Sequence, residues 1–339
     1  MSRPEVSVVM LAYGAEPYLH EAVDAVLAST GVDVHLVLVD NGCTTDAVAT
    51  LPADPRLLVV TSERNLGFTG GVALGVRHTH AEVLALVNSD AVVAPDALQE
   101  LRDALEVPGT GLVCAQVRLG DDPRTVNSVG NPLHVLGLSW AGHMGEPVAA
   151  HRERRAVASV SGACMAVHRD LWDRLGGFPE EFFAYLEDLE LSWRCWQQGL
   201  RVEYVPTAVA VHHYEFSRSP LKMYLVERNR LLFLATCYEG RTLVLLAPAL
   251  VAFDLALLLV AVLQGWGRQK VRGWAWVLTH LGWVRRRRAL VQAARTVPDR
   301  DLTHLLSDRF DPAQLPLPPG GGLAQAALRG YWRLVRRLL

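Results

Sequence analysis

Four short runs of almost purely apolar residues, each ending in small polar or acidic residues, constrain this chain more than any other feature. Val6–Leu11 leads into Ala12-Tyr13-Gly14 and Val34–Val39 into Asp40-Asn41-Gly42. Leu57–Val60 is followed by Asn65-Leu66-Gly67, and Val83–Val87 leads into Asn88-Ser89-Asp90. Between the runs the apolar period changes from that of a strand to that of a helix. Pro17–Ser29 sets Leu19, Ala22, Val23, Val26 and Leu27 on one helical face, and Phe68–His78 reads as a helix too. Pro95–Leu105 is a third helix, with Pro95 in its first turn. Short strands that are apolar at nearly every position, alternating with helices, predict an α/β fold whose mainly parallel sheet is covered on both faces. Such sheets bind ligands at the carboxyl ends of their strands, so the polar residues after each run are the ones to inspect.

At those ends Asp40 is placed to accept hydrogen bonds from a base or a ribose, and Asp90 to hold a divalent cation against a diphosphate. Either acid taken alone is also an ordinary turn former. The second half adds a predicted strand at Ala163–Val167, a helix at Asp170–Leu175 and an unusual string from Gly176 to Asp188, GGFPEEFFAYLED. A helix from Glu187 to Gln198 follows, closed by Gly199. Asp188 reads either as the cap of that helix, in favourable contact with its dipole, or as a general base beside an acceptor hydroxyl. On the same helix Trp193 and Trp196 read as core, and Arg194 as the partner of Glu190 one turn earlier. His212 lies 24 residues beyond Asp188, just past the apolar Val209–Val211. There it is a structural histidine or a neutral imidazole ligand for a metal. The loop-rich stretch Gly120–Glu153 has the character of a lid or binding loop.

Charge divides the chain in two. From Gln264 to Leu339 there are 14 Lys and Arg against 4 Asp and Glu, which leaves 19 against 31 in the rest of the 339 residues. An acidic body with a basic tail suggests an anionic surface as the tail's partner, and no nucleic acid is expected. Thr242–Leu263 is a 22-residue apolar run, long enough to span a bilayer but interrupted by Pro248 and Asp254. Arg228, Arg230 and Arg241 precede it, and Arg268, Lys270, Arg272 and Arg285–Arg288 follow, so both ends prefer the same side. Gly273–Val284 is too short to return across a membrane. These facts predict a re-entrant or interface-lying helical pair, the other reading being a buried helix in a soluble dimer. Beyond a Pro316–Gly322 linker, Leu323–Leu339 is predicted as a basic amphipathic helix carrying Arg329, Arg333, Arg336 and Arg337. The five cysteines have no C-x-x-C spacing and suggest neither a zinc site nor disulfides, and the N-terminus lacks a signal-peptide pattern. A dinucleotide-binding enzyme would need G-x-G-x-x-G after the first strand, where this chain has Ala12-Tyr13-Gly14-Ala15-Glu16.

Taken together the motifs resemble glycosyltransferase family 2, with the GT-A fold, and within it a bacterial group of rhamnosyl- and galactofuranosyltransferases. The resemblance runs from Val6 to about Tyr238. It rests on Val39-Asp40-Asn41, Asn65-Leu66-Gly67-Phe68 with Gly70-Gly71, Asn88-Ser89-Asp90, Gly162-Ala163-Cys164-Met165, the Gly176–Asp188 string, His212 and Glu227-Arg228-Asn229-Arg230. It implies that residues 1–238 are a catalytic domain, while the apolar run and the charge pattern make 239–290 a membrane-associating helical region and 291–339 a basic tail. It implies that Ala12, Tyr13, Asp40 and Asn65 face the nucleoside of a donor, dTDP- or UDP-linked, and that Asp90 and His212 hold Mg²⁺ or Mn²⁺. Asp188 would then be the base of an inverting transfer. Arg228 and Arg230 would contact the diphosphate or pair with acids of the body. Asn88 replaces the first acid of the family's Asp-x-Asp motif, so it accepts a hydrogen bond but adds no charge. The Gln-x-x-Arg-Trp motif of processive synthases is absent. The group's acceptors imply a lipid-linked or cell-envelope glycan, and its location the cytoplasmic face of the cell membrane.

Overall fold

The computed structural model describes residues 3–213, 219–311 and 321–339, so most of the expected Pro316–Gly322 linker lies outside the described residues. The strands are β1 (Glu5–Gly14), β2 (Asp33–Cys43), β3 (Leu57–Thr61), β4 (Val83–Val87), β5 (Ala91–Val93), β6 (Thr110–Leu119), β7 (Val126–Ser128), β8 (Leu133–His134), β9 (Arg155–Ala156), β10 (Cys164–His168), β11 (Arg201–His212) and β12 (Leu306–Ser307). The helices are α1 (Leu19–Leu27), α2 (Gly67–Val76), α3 (Ala97–Leu105), α4 (Arg169–Leu175), α5 (Glu187–Gln197), α6 (Pro220–Cys237), α7 (Gly240–Leu263), α8 (Gly267–Thr279), α9 (Leu281–Ala294), α10 (Asp299–Leu302) and α11 (Gly321–Leu338). The chain divides into two compact units. The first comprises Met1–Asn131, Ala141–Cys195 and Leu200–Phe216, and the second Pro132–Trp140, Trp196–Gly199 and Ser217–Leu339.

In the first unit one sheet has the order β3-β2-β1-β4-β10-β6-β11-β5, with β7 on β6 and β9 on β11. β3, β2, β1 and β4 are parallel neighbours, as their uninterrupted apolar runs require. The rest of the sheet is mixed. β10 runs antiparallel to both β4 and β6, β6 pairs in parallel with β11, and β5 lies antiparallel to β11. Strand order reverses where β4 joins β1, the kind of switch point beyond whose carboxyl ends such sheets form a ligand crevice.

The core is built from the inward faces of β1, β2 and β4 with the apolar stripe of α1. Val8, Met10, Leu36, Leu38, Ala85, Leu19, Ala22, Val23 and Val26 are all fully buried in it. Each Val or Leu removed from water contributes roughly 1.5–3 kcal/mol. On the other face α2 approaches the sheet closely because of its glycines. A Cβ at Gly71 would sit 2.3 Å from the Leu11 side chain. Gly67, at φ +71°, begins α2 with the Phe183 ring and carbonyl 2.5–2.6 Å from where its Cβ would be. The Asn-Leu-Gly-Phe-x-Gly-Gly pattern is thus a packing requirement at the edge of the crevice.

The second unit is helical apart from a two-residue pairing of β8 with β12. Its centre is a buried quartet of charges. Arg230 lies 2.6 Å from Asp254 and 3.4 Å from Glu227, and Lys270 lies 2.5 Å from Glu227 and 2.8 Å from Asp254. The quartet joins α6, α7 and α8 by opposite charges at 2.5–3.4 Å. Breaking such a pair leaves an uncompensated buried charge. It also accounts for the acid in the middle of α7, which turns toward α6 and α8. Away from the quartet α7 exposes Val244, Val251, Leu255, Leu259, Val262 and Leu263. Among the described residues α7 is the one helix long and apolar enough to cross a membrane, and it is very little buried. α11 meets α7 through the Tyr331 hydroxyl, which donates to the Leu245 carbonyl at 2.6 Å, and buries Trp332 and Val335 while Leu334 and Leu338 stay exposed.

Candidate active site

One part of the candidate site is assembled from three strand ends. Ala12 is fully buried at the end of β1 and directly opposite Asp40 on β2, whereas Tyr13 is exposed. Asp40 Oδ1 accepts hydrogen bonds from the backbone N–H of Gly42 (3.1 Å) and Cys43 (2.9 Å), which sets the plane of the carboxylate. Beside it the buried Asn41 fastens β2 to the Asn65-Leu66-Gly67 turn. Its Nδ2 donates to Asn65 Oδ1 (3.1 Å) and the Gly67 carbonyl (3.2 Å), and its Oδ1 accepts from the Leu66 N–H (2.8 Å). Asn65 Oδ1 also accepts from the Gly67 N–H at 2.8 Å. Glu16, at φ +50°, accepts from the Tyr13 N–H at 2.6 Å. Burial pushes the Glu16 carboxyl up, hydrogen bonds from Tyr13 and Ser89 pull it back, and the charge of Asp90 pushes it up again.

Asp90 and His212 meet across the fourth strand end. β5 follows Asp90 directly and pairs antiparallel with β11, setting Ala91 opposite His212. Residues 122 apart in sequence therefore come together, with His212 Nε2 3.0 Å from Asp90 Oδ1. His212 Nδ1 lies 3.1 Å from Asn127 Oδ1 on β7. With Nδ1–H donating to that amide oxygen, the Nε2 lone pair is turned toward the carboxylate. Two electron-pair donors facing one another is an arrangement that a divalent cation resolves, so this donor set fits one. The Asp90 carbonyl accepts from the His213 N–H at 2.9 Å, and the His213 ring stacks on Tyr18 at 3.8 Å. The Asn88 backbone N–H donates to the Ala163 carbonyl at 3.0 Å, tying the motif to the start of β10.

Asp188 stands in the first turn of α5, after a segment in which Phe183, Tyr185 and Leu186 all have positive φ. Three non-glycine residues in that region store strain, which the surroundings hold in place. The Phe183 carbonyl accepts from the Thr69 N–H (3.1 Å) and the Glu180 carbonyl from the Thr69 hydroxyl (3.1 Å), clamping the segment to α2. Asp188 Oδ1 accepts from the Leu189 N–H (2.8 Å), and Oδ2 from the Gly162 N–H (3.2 Å) and Asn131 Nδ2 (3.4 Å). Burial raises its carboxyl above the ordinary range, against these hydrogen bonds, which lower it. The neighbouring Glu187 is buried, and burial first and the charge of Asp188 second push it up to about 8. Its Oε2 has no hydrogen-bond partner among the described residues. Burial thus favours the neutral form of Glu187, whereas the N–H donors at the helix start favour the carboxylate of Asp188 against its burial.

The sequence pattern of the family described as "Glycosyltransferase like family 2" matches residues 4–233. The chain belongs to glycosyltransferase family 2. It therefore stands among enzymes that transfer sugars. An O-antigen biosynthesis protein of Myxococcus xanthus is 29% identical over 227 residues, 63% of this chain but only 18% of that protein. The N-acetylglucosaminyl-diphospho-decaprenol L-rhamnosyltransferase of Mycobacterium tuberculosis is 28% identical over 265 residues, 69% of this chain and 85% of its own. Among solved structures, a mannosyltransferase from Pyrobaculum calidifontis in complex with GDP-Man and Mn²⁺ superposes with a TM-score of 0.51 at 20% identity, covering 86% of each chain. That likeness shows that the two share the GT-A fold.

In this family 2 chain the first unit brings Ala12, Tyr13, Asp40 and Asn65 to adjoining strand ends, and Asp90 to His212. Arg228 and Arg230 belong to the second unit. The Arg228 guanidinium lies over the Tyr224 and Trp276 rings at 5.2 and 4.9 Å, and its Nε donates to Asn229 Oδ1 at 3.0 Å. Arg230 is fully buried and paired with acids, the second of the two alternatives that its sequence left open. Sequence reasoning missed Asn41 and Glu16 as supports, and Asn127 and Asn131 altogether. Asn41 was legible as part of a strand end. Asn127 and Asn131 sit in the loop-rich stretch, where no periodicity marks a side chain that points at the site.

Proposed function

We propose that this glycosyltransferase moves a sugar from a nucleoside-diphosphate donor to a hydroxyl of a glycan acceptor, adding one or a few residues and inverting the anomeric carbon. The observation that carries the reading is the convergence at 3.0 Å of Asp90 and His212 on the crevice that Asp40 and Asn65 line. The nucleoside lies against Ala12, Tyr13, Asp40 and Asn65, with Asn88 offering a further polar contact near the diphosphate. Asp188 takes the proton from the acceptor hydroxyl as its oxygen bonds to the anomeric carbon, and the bond to the diphosphate oxygen on the opposite face breaks. Neutral Glu187 beside it keeps a second negative charge away from the nucleophile. A divalent cation, Mg²⁺ or Mn²⁺, held by Asp90 and His212 would offset the charge on the departing diphosphate. The Mn²⁺ in the Pyrobaculum mannosyltransferase supports this choice of ion.

The rhamnosyltransferase of Mycobacterium tuberculosis supports a deoxyhexose such as rhamnose and a lipid-linked or cell-envelope acceptor; in this reading the donor is dTDP- or UDP-linked. The exposed apolar side of α7, with the Arg285–Arg288 run on α9, supports attachment to the cytoplasmic face of a membrane, peripheral or re-entrant. Residues 1–238 form the catalytic part in this reading, 239–290 the membrane-associating region and 291–339 the basic tail. The test is transfer from a panel of nucleotide sugars to a polyprenyl-diphosphate-linked acceptor, with the anomeric configuration of the product read by NMR. Transfer that stops with chelator, returns with Mg²⁺ or Mn²⁺ and inverts the anomeric centre is expected. Full activity in excess chelator, or retention of configuration, overturns the reading.

A further inference from the structure

Outside the crevice, the loop-rich stretch holds a second cluster of ligand-type side chains. His143 Nδ1 lies 3.1 Å from Glu146 Oε1, and His151 Nε2 lies 2.9 Å from Glu146 Oε2. One ligand atom from each residue lies within 4.8 Å of the other two. We propose that His143, Glu146 and His151 form a binding site for a transition-metal ion, Zn²⁺ by its donor set, which ties the loop to the sheet.

Two imidazoles and one carboxylate are a common zinc donor set, with the fourth position left to water. Bonds of about 2.1 Å at tetrahedral angles put ligand atoms roughly 3.4 Å apart. The two imidazoles meet different oxygens of Glu146, so a turn of the carboxylate that offers one oxygen to the ion, with a closer approach of the two rings, reaches that geometry. The two rings are already neighbours, tilted by 50° with centroids 4.6 Å apart. His143 and Glu146 are exposed and His151 is buried, so the remaining position opens to solvent.

The local backbone is built to hold the cluster. His143 stands at φ +61° and Gly145 at φ +88°, and the Glu146 N–H donates to the His143 carbonyl at 3.1 Å, so both ligands come from one tight turn. The third is anchored elsewhere. The His151 carbonyl accepts from Gln116 Nε2 on β6 (3.1 Å) and from the Tyr204 hydroxyl on β11 (2.7 Å). An ion would join the turn to the sheet. The turn in turn brackets Val126, whose N–H donates to the Glu146 carbonyl and whose carbonyl accepts from the Gly145 N–H, each at 2.9 Å. The next residue is Asn127, which meets His212. The site thus braces the strand that orients the His212 ring, but its existence does not depend on what that ring does.

One contact works against the ion. Arg155 Nη1 lies 3.4 Å from His151 Nδ1. Coordination through Nε2 moves the ring proton to Nδ1, so the guanidinium must turn away, toward the Val129 carbonyl that its Nη2 already approaches at 3.4 Å. Removing that cation should tighten binding, an effect opposite in sign to the loss of a merely structural contact.

The test is a Co²⁺ titration of the chelator-stripped full chain in saturating Mg²⁺, read by visible absorption and competed with Zn²⁺. Expected are one equivalent of d–d absorption that Zn²⁺ displaces, at least tenfold weaker binding in Glu146→Gln and His143→Ala, and unchanged binding in Asp90→Asn. Arg155→Gln should bind more tightly. Circular dichroism confirms that each variant is folded, and Glu146→Gln preserves the hydrogen bonding between the rings should an alanine variant fail. The proposal is overturned by the absence of a band, by a thiolate charge-transfer band pointing to Cys43, by equal affinity in Glu146→Gln and wild type, or by loss of the site in Asp90→Asn.

Discussion

The two units of this protein treat charge in opposite ways. In the sheet unit the acids that matter stand at the ends of elements and are held from one side by backbone N–H groups, as Asp40 is by Gly42 and Cys43 and Asp188 by Gly162 and Leu189. In the helical unit Glu227, Arg230, Asp254 and Lys270 lie within helices and satisfy one another, while the outside of α7 is apolar. A charge held only by neutral donors remains available to a ligand or a proton. A charge enclosed by its counterions is spent on holding helices together. The comparison separates residues whose loss should cost chemistry from residues whose loss should cost stability.

The largest effect should come from breaking the enclosed network. Asp254→Ala leaves Arg230 and Lys270 short of a counterion in a buried place and should destabilise the helical unit by about 3–5 kcal/mol. Urea unfolding followed by tryptophan fluorescence measures it, and a change below 1 kcal/mol would mean that water or rearrangement replaces the acid. Next comes Asp188→Asn, which should leave the melting temperature nearly unchanged while lowering kcat ~10²-fold or more. Near-wild-type turnover would reduce Asp188 to a helix cap and make Glu187 the candidate base.

The outer side of α7 provides a smaller effect. Leu255→Glu with Leu259→Glu should shift the full-length protein from the membrane fraction to the soluble fraction by tenfold or more at low salt, without altering the urea midpoint. Each exposed leucine inserted into lipid is worth about 1.5–3 kcal/mol. Wild-type protein that stays soluble without detergent would end the membrane reading. The smallest effect concerns Glu187. Its folded carboxyl titrates at about 8 against an ordinary value of 4.5, so the native state binds the proton more tightly than the unfolded chain. Stability should therefore fall as pH rises through that window, and Glu187→Gln should flatten the fall. Denaturation midpoints at pH 5, 6.5 and 8 measure it, and equal slopes in both proteins would show that the carboxyl is not held neutral.

Legibility followed the range of the interaction. β1, β2 and β4 read directly because a strand buried on both faces is apolar throughout, and their polar ends mark the crevice. The stripe on α1 and the Arg194–Glu190 pair, 2.5 Å apart, were equally local. β6 was not legible, since Cys114, Gln116 and Arg118 interrupt its apolar run, although it is central to the mixed half of the sheet. The antiparallel direction of β10 was hidden too, because a five-residue apolar run reads the same either way.

The sequence by itself determined the α/β class, the family, the strand-end residues Asp40, Asn65 and Asp90, and an apolar helix long enough for a membrane. All of these depend on composition and spacing over a few residues. Only the tertiary structure decided that Asp90 meets His212, that Asn127 orients that ring, that Arg230 is enclosed with Asp254 and Lys270, and that His143, Glu146 and His151 converge. Each of those contacts joins separate elements or fixes a turn's geometry. It depends on strand order, pairing register and loop path, which the pattern of residues along any one element does not encode.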